Sequence, residues 1–189
     1  MSFLNQLRSQ AKALQSQQSE LQLNLEENTA QTEAASRFAL QYLEDLARHL
    51  NVIGPAAPKF TLDGKTPWPA MKLTEFRVDS RKKVLRHRDV FDYLAIGWRI
   101  VPQVGQPVGG TVTVNFPPDL QRVESRLAMG PVKHERKELR HPEKNTLQAI
   151  QFDYLTETRG NVVVSPDHDN AVLNFRLLNA RGFEILNAA

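Results

Sequence analysis

The segment "PDHDN" holds three side chains that could donate oxygen or nitrogen atoms to a metal ion, namely Asp167, His168 and Asp169. Metal ligands are usually drawn from separated elements, whereas adjacent residues on a strand point to opposite faces of the sheet. Proline, aspartate and asparagine are also the residues that a hairpin turn favours. We therefore interpret the segment as a structural turn, predict no metal site there, and leave a separate role for His168 open.

The other four histidines, His49, His87, His134 and His141, form no pair with metal-ligand spacing on an identifiable helix. The sequence also contains no nucleophile elbow, phosphate-binding loop or dinucleotide-binding glycine motif. Because there is no cysteine, disulfides, thiolate zinc sites and cysteine nucleophiles are excluded. The sequence therefore predicts no catalytic residue, no metal and no cofactor, and a protein that is not an enzyme.

A basic segment between residues 72 and 88 is the strongest candidate for ligand binding. It carries seven basic and two acidic side chains, and Phe91 and Tyr93 follow it. The basic residues are Lys72, Arg77, Arg81, Lys82, Lys83, Arg86 and Arg88. Cations with neighbouring aromatic rings suit phosphate contact and base stacking in a nucleic acid. Lysine and arginine also protect exposed strand edges against aggregation, so a solvated face is the more ordinary interpretation.

These candidate residues must be positioned by a chain whose first 53 residues contain no glycine or proline. A heptad register that starts at Leu4 places an apolar seam along this stretch. The residues predicted to form the oligomerisation seam are Leu4, Leu7, Ala11, Leu14, Leu21, Leu25, Ala35, Ala39, Tyr42 and Leu46. The pattern predicts one helix of roughly 75 Å, and so narrow a stripe needs a partner helix to pack against.

The middle of the seam leaves two arrangements open, because Gln18, Asn28 and Thr32 are polar. A bend near Asn28 and Thr29 would give a helical hairpin, whereas a continuous helix calls for self-association. Polar seam residues can also fix the register of an oligomer. We expect the continuous helix and a dimer, with antiparallel order slightly preferred and a tetramer as the main rival. Residues 35–53 should meet the rest of the protein.

Residues 54–70 are interpreted as a linker, since "NVIGPAAPKF" and "TPWP" contain prolines and a glycine. Trp68, between two prolines, is expected to anchor this linker on the neighbouring domain. From residue 71 the hydrophobic pattern alternates, as in "YLAIGWRIV", "TVTVNF" and "AIQFDYLTE". Such alternation is typical of antiparallel strands with one solvated face, and about six to eight strands are predicted.

Residues 117–145 interrupt this alternation. The segment "PPDLQRVESRLAMG" fits a short helix slightly better than a strand, because Leu120, Val123 and Leu127 have helical spacing. The segment "KHERKELRHPEK" is charged on every side and should be an exposed loop or strand pair.

The fold class predicted is α+β, with a long N-terminal coiled-coil helix (or helical hairpin) followed by a mainly antiparallel β-sheet domain. The predicted divisions are a helical oligomerisation segment at 1–53, a linker at 54–70 and a β-rich domain at 71–189. Residues 60–189 are expected to fold alone. A composition of 41% hydrophobic and 24% charged residues is that of a globular protein.

The function expected is that of a non-enzymatic oligomeric assembly or adaptor protein. Its helix would self-associate and its β domain would bind a protein partner whose identity the sequence does not name. The alternative is a nucleic-acid-associated protein that uses the basic segment, although a net charge of +3 is too small to imply this by itself. No signal peptide or membrane-spanning run is read, so we expect a cytoplasmic location without membrane contact.

Overall fold

The computed structural model describes residues 3–189. These residues form two helices, α1 (Phe3–Ile53) and α2 (Pro117–Met129), and eight strands. The strands are β1 (Met71–Leu85), β2 (Arg88–Pro102), β3 (Gly109–Val114), β4 (His134–Arg140), β5 (Leu147–Leu155), β6 (Thr158–Asp167), β7 (Val172–Leu178) and β8 (Ile185–Ala188). A long N-terminal helix precedes antiparallel sheets, so the predicted α+β class is confirmed.

Helix α1 is continuous from end to end, which excludes the helical hairpin. Its 51 residues include no glycine or proline that would weaken or break the hydrogen-bond ladder. The helix stops at Gly54, whose φ of +57° costs a glycine little. The Gly54 N–H donates to the carbonyl oxygen of Leu50 at 2.9 Å, and Pro55 directs the chain away.

Five strands form the larger sheet, in the order β1-β2-β6-β7-β8, with every neighbouring pair antiparallel. Helix α1 packs on one face of this sheet. The cluster between them, here the helix–sheet cluster, consists of Leu43, Ala47, Phe76, Phe91, Leu94, Ile96 and Val164. The helix and the sheet therefore form one hydrophobic cluster, although the sequence pattern predicted a division of the chain after residue 53. The expectation that residues 60–189 fold alone is untested, and this shared cluster favours the opposite outcome.

The smaller sheet has the order β3-β5-β4 and is covered by α2, whose Val123 and Leu127 are buried against it. The helical interpretation of "PPDLQRVESRLAMG" is thereby confirmed. Strand β4 is exposed along its whole length, as its charge predicts. Phe60, Leu62 and Trp68 of the 54–70 segment are also buried in this second cluster.

Trp68 acts as the expected anchor. It is only 6% exposed and stacks on Tyr154 with ring centroids 5.8 Å apart and an interplanar angle of 16°. The two clusters meet at Leu73 and Trp98, which pack against both. The body of the protein is thus a pair of sheets joined through these two side chains.

Candidate interaction surfaces

The first half of α1 projects away from the body. Residues 3–27, here called the arm, are exposed except for the half-buried Leu25. At 1.5 Å per residue the arm is about 37 Å long. The exposed fractions of Leu4, Leu14 and Leu21 are 63%, 59% and 62%, and Leu7 and Ala11 lie between them on the same stripe, also exposed. The arm therefore presents an apolar stripe that no described residue covers.

The second half of α1 is docked on the larger sheet. Its buried residues are Thr29, Thr32, Glu33, Ser36, Leu43 and Ala47. Of the seam residues predicted here, Ala39 and Leu46 are half-buried, whereas Ala35 and Tyr42 are exposed. A strict seven-residue repeat drifts by about 20° per heptad around a straight α-helix. Over several heptads the predicted seam therefore rotates away from the side that faces the sheet.

The stripe of the arm lies on the same side of α1 as the sheet. From Leu4 to Leu25, and on through Thr29, Ser36 and Leu43, the positions advance by three or four residues. Steps of this size keep side chains on one face of a helix with 3.6 residues per turn. The exposed stripe is the continuation of the docked face beyond the edge of the body.

Two buried polar side chains fix α1 and the "PDHDN" turn to the same residue of β2. Glu33 Oε1 accepts a hydrogen bond from the Phe91 N–H at 2.7 Å, and His168 Nε2–H donates to the Phe91 carbonyl oxygen at 2.8 Å. Strand β6 pairs with β2 only from Leu94 to Ile100, so this edge of Phe91 has no strand partner. The two side chains replace the missing strand, which gives His168 a structural role.

The β1–β2 turn meets α1 at the point where the arm leaves the body. Arg86 and His87 both have positive φ, at 49° and 63°, which is unfavourable for residues with a side chain. Arg86 donates to Thr29 Oγ1 at 2.9 Å and pairs with Asp169. Asn28 Nδ2 donates to the Asp169 carbonyl oxygen at 2.6 Å. These contacts hold the strained turn and mark the base of the arm.

We expect Glu33→Ala to lower the free energy of unfolding by about 2 kcal/mol, because the buried Phe91 N–H loses its acceptor. The matched control is Glu33→Gln, which keeps an acceptor oxygen of the same reach and should retain most of the stability. Urea unfolding at one fixed protein concentration, followed by tryptophan fluorescence, measures both. An equal loss in the two variants would contradict the role given to this hydrogen bond.

The basic segment is partly neutralised by its own surroundings. Arg81 and Lys83 both contact Asp92, at 2.5 Å and 3.2 Å, and the Arg81 hydrogen bond is the main cause of the lowered pKa of that carboxyl. Arg81 also lies over the Tyr93 ring at 5.4 Å, and Lys82 lies over the Phe91 ring at 5.1 Å. The rings therefore hold cations of this chain and are not free for stacking on a base.

Some of the remaining basic residues of the segment also contact a carboxylate. Arg77 lies 3.9 Å from Glu75, and Arg86 is held by Asp169. Among residues 3–189, Lys72, Lys82 and Arg88 have no carboxylate within salt-bridge distance. Of the seven basic residues, four therefore contact a carboxylate and three do not.

A two-sheet α+β body with a projecting helical arm is the class of protein that these surfaces define. In the part that the structure describes, neither helix combines the length and the apolar character that crossing a membrane requires. No protein-family model, no curated protein and no solved structure matches the chain.

Proposed function

We propose that this is a non-enzymatic assembly protein that self-associates through the arm and presents its β-rich body to another protein. The observation that carries the proposal is the stripe of exposed leucines from Leu4 to Leu21, which continues through the half-buried Leu25 into a face that the protein buries elsewhere. An isolated helix gains little stability from its intrinsic propensity and depends on packing of its apolar face. A second arm is the simplest source of that packing.

The size of the stripe supports association of moderate strength. Each copy has five leucines on the stripe, at positions 4, 7, 14, 21 and 25. Burying them is worth on the order of 10 kcal/mol per copy, against a cost of about 4–15 kcal/mol for the lost freedom of the two molecules. We therefore expect an oligomer that forms and dissociates over an accessible range of concentration.

A second exposed patch lies on the docked half of α1, beside the sheets, and supports binding of a protein partner at that side of the body. Phe38 and Tyr42 lie one turn apart on the side of α1 that faces away from the sheet, and are 74% and 60% exposed. Aromatic side chains are enriched in protein interfaces. The nucleic-acid alternative has weaker support, because most cations of the basic segment already pair with carboxylates.

The test of self-association is the double substitution Leu14→Asp with Leu21→Asp, followed by analytical ultracentrifugation. We expect the variant to sediment as a monomer at concentrations where the wild-type protein is oligomeric, since burying two charges per arm costs several kcal/mol. The body should be unaffected, so the near-ultraviolet circular dichroism should not change.

The matched control is Ser16→Asp with Leu23→Asp, which adds the same charge on the opposite side of the arm. Leu23 is as exposed as Leu21, at 65% and 62%. This control should keep the wild-type oligomer. An unchanged sedimentation coefficient for Leu14→Asp with Leu21→Asp would rule out the arm as the association surface.

A further inference from the structure

We infer that the arm pairs with the arm of a second copy in antiparallel order, with Leu4 facing Asn28, Leu7 facing Leu25, Ala11 facing Leu21 and Leu14 facing Gln18. The inference rests on the proposed self-association and adds the orientation and the register. Three independent features of the arm support it: the sizes of the stripe residues, the order of the charges and the point at which the body begins.

The sizes of the stripe residues favour this register. Ala11 of one copy faces Leu21 of the other, so a small side chain lies opposite a large one. Leu14 faces Gln18, which avoids a layer of two glutamines. Parallel pairing in register would stack Ala11 on Ala11 and Gln18 on Gln18, leaving a thin layer and a polar layer in the core. In antiparallel order, Ala11 and Gln18 each lie opposite a leucine, so no layer consists of two small or two polar side chains.

The charges of the arm are separated along its length. Arg8 and Lys12 lie in the first half, and Glu20, Glu26 and Glu27 lie in the second half. Antiparallel pairing brings Lys12 level with Glu20 and Arg8 within one turn of Glu26. Parallel pairing would bring like charges together in both halves. Such exposed pairs are weak and screened by salt, but all of them favour the same orientation.

The body limits how far two arms can overlap. The stripe faces the same side as the sheet, so the second helix must run along that side and stop where the body starts. Thr29 is already buried there, beside Arg86 and the β6–β7 turn. With Leu4 level with Asn28, Phe3 at the start of the described helix comes level with Thr29, where the body begins. A larger overlap would drive it into this turn, and a smaller one would leave leucines uncovered.

One exposed residue of the body fits the same arrangement. Val84 is 72% exposed and lies in the β1–β2 hairpin whose turn contacts the base of the arm. In the inferred pairing Phe3 of the second copy, itself 72% exposed, arrives at this hairpin. The two side chains offer each other an apolar contact at either end of the paired arms.

Spin labels on the full-length protein test the orientation, since the chain has no cysteine and any introduced cysteine is labelled uniquely. One sample carries Asn5→Cys, a second carries Glu27→Cys, and a third mixes the two. Both positions are exposed and off the stripe. In the antiparallel register Asn5 is level with position 27 of the other copy, so two Asn5 labels are separated by about 33 Å along the axis.

We expect the mixed sample alone to contain a short distance, of about 20–30 Å, set by the spacing of two packed helices and by two labels on their outer sides. Short distances in the Asn5→Cys and Glu27→Cys samples would overturn the antiparallel order while leaving self-association intact. A shift by one heptad would change the axial separation by about 10 Å and would overturn the register. A protein that sediments as a monomer and gives no intermolecular dipolar signal would overturn self-association itself.

Discussion

A fragment of residues 60–189 is expected to aggregate or to lack fixed tertiary structure. Removing α1 uncovers Phe76, Phe91, Leu94 and Ile96, which the helix buries through Leu43 and its neighbours. It also removes Glu33, the acceptor for the Phe91 N–H. Burying each large apolar side chain contributes about 1.5–3 kcal/mol to the free energy of unfolding. The contribution lost when four of them are exposed is therefore comparable to the whole stability of a typical domain.

The matched control for this truncation is a fragment of residues 28–189, which removes the arm and keeps the docked half of α1. Asn28 can then serve as the N-cap of the shortened helix. We expect this fragment to be monomeric and to unfold cooperatively at nearly the wild-type temperature. Near-ultraviolet circular dichroism and sedimentation distinguish the two fragments. Cooperative unfolding of 60–189 would instead show that the sheets carry an independent core, as the sequence pattern suggested.

The alternating segments show what sequence periodicity predicts well. In "YLAIGWRIV" the period of two assigns Leu94, Ile96 and Ile100 to one face, and these residues are at most 2% exposed. This succeeds because a strand in the middle of a sheet is subject to one strong constraint, which is that one face packs on a core. The continuity of α1 follows in the same way from the missing glycine and proline.

The docked face of α1 was not predictable from hydrophobicity. Thr29, Thr32, Glu33 and Ser36 are polar and buried. Glu33 is buried because Phe91, far along the chain, offers it an N–H. A hydropathy pattern records only the side chains of one segment, so of these four residues only Thr32 was placed on the predicted seam, as one of its polar positions. The heptad model also kept a period of 3.5 where the docked helix follows 3.6.

The β1–β2 turn was missed for a related reason. Two-residue hairpin turns with positive φ are normally signalled by asparagine and glycine, and here the residues are Arg86 and His87. Their conformation is supported by contacts of Arg86 with Thr29 and Asp169, from two other elements. The charge of the basic segment was countable in the sequence, but the carboxylates that neutralise it are placed by the fold.

The contact between Trp98 and Gly160 is a tightly packed point of the body. The two residues face each other across β2 and β6, and the indole ring lies over the glycine. A Cβ atom added at Gly160 would lie 2.5–2.6 Å from three atoms of that ring. Glycine within a strand often marks such a close approach. Since Trp98 packs against both hydrophobic clusters, its displacement disturbs the junction between the two sheets.

We therefore expect Gly160→Ala to lower the free energy of unfolding by about 3 kcal/mol, at the upper end of the cost of overpacking, because a rigid ring must move. For a chain of this size the melting temperature should fall by roughly 6–12 °C. Gly97→Ala is the matched control, since its added Cβ meets nothing nearer than the Gly160 carbonyl oxygen at 3.8 Å. Thermal unfolding of both variants measures the difference.

A second substitution decides whether the indole is the cause. If Trp98 is first shortened to leucine, the space above Gly160 opens, and adding Gly160→Ala should then cost much less than it does in the wild-type protein. The two changes should deviate from additivity by about 1–2 kcal/mol, as expected for residues in direct contact. Strict additivity, or a loss for Gly160→Ala no greater than that for Gly97→Ala, would mean that the strand pairing adjusts around the new methyl group and that Trp98 does not fix the junction of the two sheets.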